Sequence, residues 1–564
     1  MKTRLRSYLF LLGALTLAVA TSAHAGSAAW SGQLNSNWNV FENWSPQTVP
    51  NGPSDAATLG SSFNRTVYLS ANTEVNSITF PRPAGPFAVN YGITVSTNLT
   101  LTISGTGITN NSGQAQNFVV AASDGTIGEA QLFFTNSATA GSATFSNNAP
   151  PVAGVDGGIT EFLDSTTAGN STFINNASGE IKFYGNASAG SGTFTNNGGG
   201  AGLFGGSIDF EFNSTAANAT FTNNSGPVSG GNSGLILFGG SSTAANGIFT
   251  NNGSSVSDVG GAFLEFFVNA TADSATLIAN KGLKGGGGGQ IVFVEDSTGG
   301  FARVEIFGNG NLDISGHNAP GVAIGSIQGT GIAFLGGNNL TTGLNNLSTA
   351  FSGVIKDGGL YAGTGGSLTK LGNGKLTLSH ANSYTGGTTL NGGTLLVQNK
   401  VGSASGSGTV QVNNGTLGGT GFISNAVTVG NGSLAGAILL GGTGPKSPGG
   451  LTINDPLTFN SLSSYKCGLK RSTSGSGQVT AVAGKVSAFG VTINSNVTFT
   501  FVDSGTGTLP IGTVFTVLNN TSGLPITGRF SDLAQGSIFT SNGNKFKANY
   551  TGGSGNDLIL KIVP

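Results

Sequence analysis

The sequence predicts an all-β chain folded as a right-handed parallel β-helix (β-solenoid), with an N-terminal aromatic cap and a less regular β-rich C-terminal region. Three observations predict it. Pairs of bulky apolar residues eleven positions apart recur every 21 to 28 residues. An Asn pair follows the second member of most of them. Short runs of alternating apolar residues are punctuated by glycine, of which there are 97, with only 8% charged residues. Repeats of about 20 to 50 residues mean a stacked array, and two short strands per unit without helical periodicity select a β-solenoid. A β-propeller blade needs four strands and about 40 to 50 residues, more than these units hold.

Residues 1–25 read as a secretory signal. Lys2, Arg4 and Arg6 precede an apolar run from Leu9 to Ala20, and Ala23-His24-Ala25 supplies small residues for cleavage. That run is too short to span a bilayer, so removal at about Ala25 is expected, and the mature chain shows no transmembrane helix. Residues 26–120 form the expected cap and first coils. Trp30, Trp38 and Trp44 all fall here, beside Pro50 and Pro53. The open end of a solenoid exposes strand edges and needs a plug, which such residues suit. The alternative is that the tryptophans stack on sugar rings.

Residues 121–310 hold the tandem repeats. The pairs are Phe134 and Phe145, Phe162 and Phe173, Phe183 and Phe194, and Phe210 and Phe221. Phe238 and Phe249, Phe266 and Leu277, and Phe293 and Val304 continue them. Turns such as TTAGN (Thr166 to Asn170) and STAAN (Ser214 to Asn218) separate the two members. The Asn pairs are Asn147-Asn148, Asn175-Asn176, Asn196-Asn197, Asn223-Asn224 and Asn251-Asn252. Stacked coils about 4.8 Å apart turn equivalent positions into columns. The reading therefore places two Phe stacks inside and Asn stacks at a turn, passing amide hydrogen bonds from coil to coil.

Residues 311–400 continue the solenoid, and 401–564 make up the C-terminal β-rich region. Between them, 368–397 reads LTKLGNGKLTLSHANSYTGGTTLNGGTLLV. This segment resembles the autotransporter-associated β-strand repeat of bacterial passenger-type secreted and surface proteins, including its S-Y-T-G-G-T-T and N-G-G-T-L cores. The W…NW…VPN…D pattern from Trp30 onward is similar to the start of proteins carrying that repeat. The blocks GTGPKSPGGLTI and FKANYTGGSGNDLILKIVP are similar to their ends. The resemblance implies an exported passenger domain and brings no catalytic chemistry. Such proteins commonly end in an outer-membrane barrel, but the stretch after Val397 lacks the repeated amphipathic strands of about ten residues and the aromatic girdles a barrel needs. Separate export machinery is the expectation.

Few residues carry chemistry. Lys and Arg number 22 against 23 Asp and Glu, with no basic run, so no nucleic-acid footprint exists. The 36 Phe residues argue against disorder. Cys467 stands alone and permits no internal disulfide; it reads as a partly buried thiol, with an intermolecular crosslink as the alternative. Gly552 to Leu560 fits one calcium nonapeptide with Asp557 as ligand, yet calcium needs six to eight oxygens drawn from stacked copies. GGTGPKS, Gly441 to Ser447, fails as a phosphate loop because Pro445 has no N–H to offer.

Polysaccharide cleavage would need two convergent carboxylates. The column before the first Phe holds Phe133, Glu161, Lys182, Asp209, Leu237, Glu265 and Val292. Strand alternation points it outward, and Lys182 and Leu237 separate its acids, so it reads as a mixed-sign solvated stripe. Asp209 with Glu211, and Glu295 with Asp296, read the same way. His317 and His380 are isolated turn residues. No catalytic, cofactor-binding or metal-ligating residue is therefore assigned, and no cofactor is expected.

The expected function is that of a non-enzymatic, adhesin-like structural protein, secreted or on the cell surface in association with the outer membrane. Its expected partner is extracellular polysaccharide or another cell surface. A carbohydrate-binding or carbohydrate-cleaving β-helix is the alternative.

Overall fold

Alternation of inward apolar and outward polar residues, mostly in strands of three or four residues, builds the molecule. The computed structural model describes residues 26–83, 89–473 and 478–564, so the signal segment lies outside the described residues. Apart from the single 3-10 turn Phe41–Asn43, the described regular structure is strand. Sheet A has 15 strands and runs from Ala28–Trp30 to Val354–Lys356. Sheet B runs alongside it from Thr66–Tyr68 through Thr144–Asn147 and Thr394–Val397 to Thr498–Ser504. Beyond the N-terminal edge pair, neighbouring strands of sheet A are parallel. At about 4.8 Å per rung, sheet A alone is on the order of 70 Å long.

The Phe columns are in register. Phe134, Phe162, Phe183, Phe210, Phe238, Phe266 and Phe293 pair successively in sheet A. Phe145, Phe173, Phe194, Phe221 and Phe249 do so in sheet B. Within each column the rings stack, as in Phe210 over Phe238 at 4.5 Å and Phe194 over Phe221 at 4.7 Å. Between columns they meet edge to face, as in Phe210 with Phe221 at 5.8 Å. Both geometries suit the aromatic quadrupole and add about 0.5–1.5 kcal/mol per pair beyond burial.

The third side of the coil changes along the axis. Through the Phe repeats it is one bridge wide, running Thr139, Thr167, Ser188, Thr215, Thr243, Thr271 and Thr298. Each hydroxyl from Thr139 to Thr271 accepts the N–H two residues on, closing the turn, as in Ala217 N to Thr215 Oγ1 at 3.0 Å. From Gly321–Ile324 onward a 9-stranded sheet C replaces this seam, ending at Thr527–Gly528. Beyond sheet A, a 7-stranded sheet D begins at Phe422–Ile423 and closes with antiparallel strands Asp557–Val563, Asn544–Gly552 and Ile538–Ser541. A hairpin, Ser464–Thr473 with Val479–Ala483, branches from sheet B. The buried Arg471 guanidinium holds the Asp503 carboxylate at its base, at 2.9 and 3.2 Å.

The three tryptophans are buried and packed edge to face, Trp30 with Trp44 at 5.1 Å and Trp38 with Trp44 at 4.8 Å. Their indole N–H groups donate to the carbonyls of Asn64, Trp38 and Pro50. They form a cap core, and their burial removes them as sugar-stacking platforms.

Candidate functional site

The outward face of sheet A carries a run of acidic side chains, among them Glu161, Glu180, Asp209, Glu265 and Asp313. Register aligns Phe133, Glu161, Lys182, Asp209, Leu237, Glu265 and Val292, and carries the column on to Asp313, Phe334 and Lys356. The expectation of a solvated stripe is corrected here. Glu161, Lys182, Asp209 and Glu265 are half-buried, and Val292 and Asp313 are buried. Neighbouring bulky side chains and loops crowd the face and withdraw water from it.

The carboxyls respond to that desolvation. Burial pushes Asp209 up to about 6, against the hydrogen bond it accepts from Ser207 Oγ at 2.6 Å and with help from Glu180. Burial also raises Glu161, opposed by Lys182, and raises Glu265, reinforced by Glu295. Lys182 is lowered by burial, but Glu180 at 2.5 Å and Glu161 at 3.7 Å outweigh this and hold it above its ordinary range. Tyr184 stands beside this group, and burial pushes its phenol up to about 12.

A line of turn residues follows the acids. Strands of sheet A end in a left-handed residue, which in successive coils is Asn136, Asp164, Gly185, Phe212, Gly240, Val268 and Glu295. Asn, Asp and Gly tolerate this conformation; Phe212 at φ +58° and Val268 at φ +58° hold it at a cost of about 1–2 kcal/mol each. Phe212 is 61% exposed, and its ring packs edge to face with Tyr184 at 6.1 Å. The strain is thus spent on surface rather than core.

At its C-terminal end the face is crossed by a strap, residues 357–366. The Asp357 carboxylate anchors it through the N–H groups of Gly365 and Gly366. Leu360 N donates to Asp313 Oδ2 at 2.8 Å and Tyr361 N to Ser315 Oγ at 3.0 Å. Burial and the carboxylates of Glu265, Asp313 and Glu295 push the Tyr361 phenol up.

The other singled-out residues have their own surroundings. Glu295 Oε2 accepts Val268 N at 2.8 Å and Asp296 Oδ1 accepts Asn318 Nδ2 at 3.0 Å, so both brace turns. His317 is held between the carbonyls of Asn318 and Ser297, at 2.5 and 2.6 Å, while His380 is exposed beside the Ala381 carbonyl. Asp557 is buried and accepts Asn520 N at 2.9 Å, a bond that ties sheet D together. Among the described residues, no three His, Cys, Asp or Glu side chains gather as a metal site. Lys446 sits at the tip of a hairpin in which Gly442–Gly444 pairs with Ser447–Pro448. Cys467 is fully rather than partly buried, and burial pushes its thiol up to about 12, so a crosslink through it requires unfolding.

Sequence reasoning missed Glu180, Tyr184, Asp313, Phe334 and Tyr361. A signal existed for two of them: Asp313 and Phe334 continue the Val292 column after the Phe repeat has ended.

Residues 368–397 show how their motif folds. Lys375–Leu378 pairs in parallel with Thr394–Val397, placing Leu376 beside Leu395 and Leu378 beside Val397 in the core. The tyrosine of S-Y-T-G-G-T-T, Tyr384, is buried with its hydroxyl 2.6 Å from Thr388 Oγ1. Lys370 Nζ donates to the carbonyls of Leu371, of Gly372 at 3.2 Å and of Gly392 at 3.4 Å, tying two successive turns together.

Stacked parallel ladders with columnar aromatic and amide interiors define a β-solenoid protein. Within it, residues 368–397 match the passenger-associated-transport-repeat family, so the chain carries an autotransporter-passenger-type repeat. A comparison with curated proteins gives no match. Among the described residues, no helix is long and apolar enough to cross a membrane.

Proposed function

We propose that the protein is exported, loses residues 1–25, and acts at the cell surface or outside the cell as a non-enzymatic structural or adhesive rod. The passenger repeat at 368–397 carries this reading. The long outer face of sheet A, with its acidic column, fits it, for extended contact needs a long surface rather than one reactive centre. Such a surface suits extracellular polysaccharide or another cell's coat, and export calls on separate machinery.

One observation favours a second reading, a polysaccharide-cleaving solenoid. Asp209, raised to about 6, stands near Glu180 and Glu211, and a raised carboxyl is what a general acid requires. Against it, Lys182 holds both Glu180 and Glu161 in ion pairs. The test is release of reducing or unsaturated ends from plant, algal and bacterial polysaccharides. The adhesive reading expects binding without turnover. Turnover abolished by Asp209→Asn would replace it with the enzymatic one.

A further inference from the structure

We propose that the cavity beneath the 358–361 strap is a binding site for a neutral glycan chain, seating sugar residues against Phe334, Gln290 and Asn311. This rests on the reading of sheet A as a contact surface.

The cavity is an open cleft of about 390 Å³, within the range of small-ligand sites. Its side chains come from neighbouring rungs of sheet A: Gln290 beside Asn311 in one column, Asp313 beside Phe334 in the next. Glycines 287, 288 and 359 supply side-chain-free walls, and Leu360 closes it from the strap. Among the described residues, neither the Gln290 nor the Asn311 amide has a hydrogen-bond partner, although both are half-buried. Each therefore offers two donors and an acceptor. Asp313 is buried and accepts three bonds, from Ser315 N, Ser315 Oγ and Leu360 N. A carboxylate has about four acceptor positions, so one remains. Phe334 presents an aromatic surface, with Lys356 Nζ 4.8 Å from its ring centroid.

Amides, a carboxylate acceptor and an aromatic ring suit a polyhydroxylated ring with one apolar face. Other ligand classes fit poorly. The carboxylates of Glu265, Asp313 and Glu295, which act together on Tyr361 of the strap, outnumber the Lys356 ammonium beside Phe334, and this balance disfavours anionic sugars and phosphates. A strand-adding peptide needs a free sheet edge, and these strands are paired on both sides. A polymer is favoured over a single sugar because half-buried Phe263, one rung from Gln290, carries the aromatic surface onward along sheet A.

The test is calorimetric titration of the purified mature chain with cellohexaose, xylohexaose, mannohexaose and chitohexaose, with hexagalacturonate as the anionic comparison. Binding of at least one neutral hexamer is expected, weakened about tenfold or more by Phe334→Ala and by Asn311→Ala. Gln290→Ala, an outward change that leaves the core intact, should weaken it likewise. Hexagalacturonate should bind at least about tenfold more weakly than the best neutral hexamer. Absence of binding to every neutral hexamer overturns the site. Binding unaffected by all three variants but lost in Phe212→Ser also overturns it, yet leaves the contact-surface reading standing. A chain retained in the cytoplasm would sink that reading whatever the titration shows.

Discussion

Asn223 accepts an amide proton from Asn196 at 2.9 Å and passes one to Asn251 at 3.0 Å, so each buried Asn is acceptor to one coil and donor to the next. The ladder begins with Asn147 donating to Asn175 and Asn175 to Asn196. A second, half-buried ladder runs the opposite way, Asn224 donating to Asn197 and Asn252 to Asn224. Replacing Asn223 by Ala orphans the buried acceptor on Asn251, while the Asn196 amide keeps the Gly206 and Leu235 carbonyls. Loss of about 1–3 kcal/mol is expected from urea unfolding, with a smaller loss for Asn224→Ala. Equal, negligible effects at both positions would show that the amide ladder does not stabilise the coils.

Phe221 lies between Phe194 and Phe249 in the sheet B column and is fully buried. Phe221→Ala should cost about 3–5 kcal/mol, through lost burial and the cavity left behind. The exposed Phe212 gives the contrast. Phe212→Gly relieves a left-handed Phe and should leave stability unchanged or raise it, measured by the same unfolding curves.

The Phe and Asn columns were legible in the sequence because a strand fixes direction by alternation and a near-constant repeat fixes register. The tryptophan cap was legible for a similar reason, since a solenoid end must be plugged. The burial of the Glu161 to Glu265 column was not. It depends on how side chains outside the column, such as Tyr184 beside Lys182 and Glu161, crowd the carboxyls, which the column alone does not reveal. The strap was hidden for the same reason: Leu360 reaches Asp313 across 47 residues of sequence. The widening of the third side at Gly321 also escaped notice, because a one-bridge seam and a short strand share the same Thr-rich turns.

Lys370 gives a signed pH dependence. Burial pushes its ammonium down to about 8, and its partners are carbonyls rather than carboxylates. From about pH 8 to the model-peptide value of about 10.4, the unfolded chain holds a proton that the folded chain releases. Its contribution to stability therefore rises with pH across that window. Above about pH 9 Cys467 acts in the opposite sense, since its folded thiol stays protonated. The readout is therefore the difference in unfolding free energy between wild type and Lys370→Met. That difference should shift in favour of wild type from pH 8 to 10; a flat difference contradicts the assignment.

Asp209 slopes the other way. Its folded carboxyl is raised from 3.8 to about 6, so the stability linked to its proton is full below about pH 4 and is lost as pH rises through 6. Thermal melts from pH 4 to 7 should show wild type losing stability relative to Asp209→Asn. Parallel profiles would mean that Asp209 ionises as freely in the fold as in water.

The central claim, an exported passenger-type solenoid, is tested most directly by fractionating native cells and sequencing the N-terminus of the recovered protein. The account predicts recovery from the outer membrane or the medium, starting near Gly26. Recovery from the cytoplasm with Met1 and the segment through Ala25 intact would contradict it.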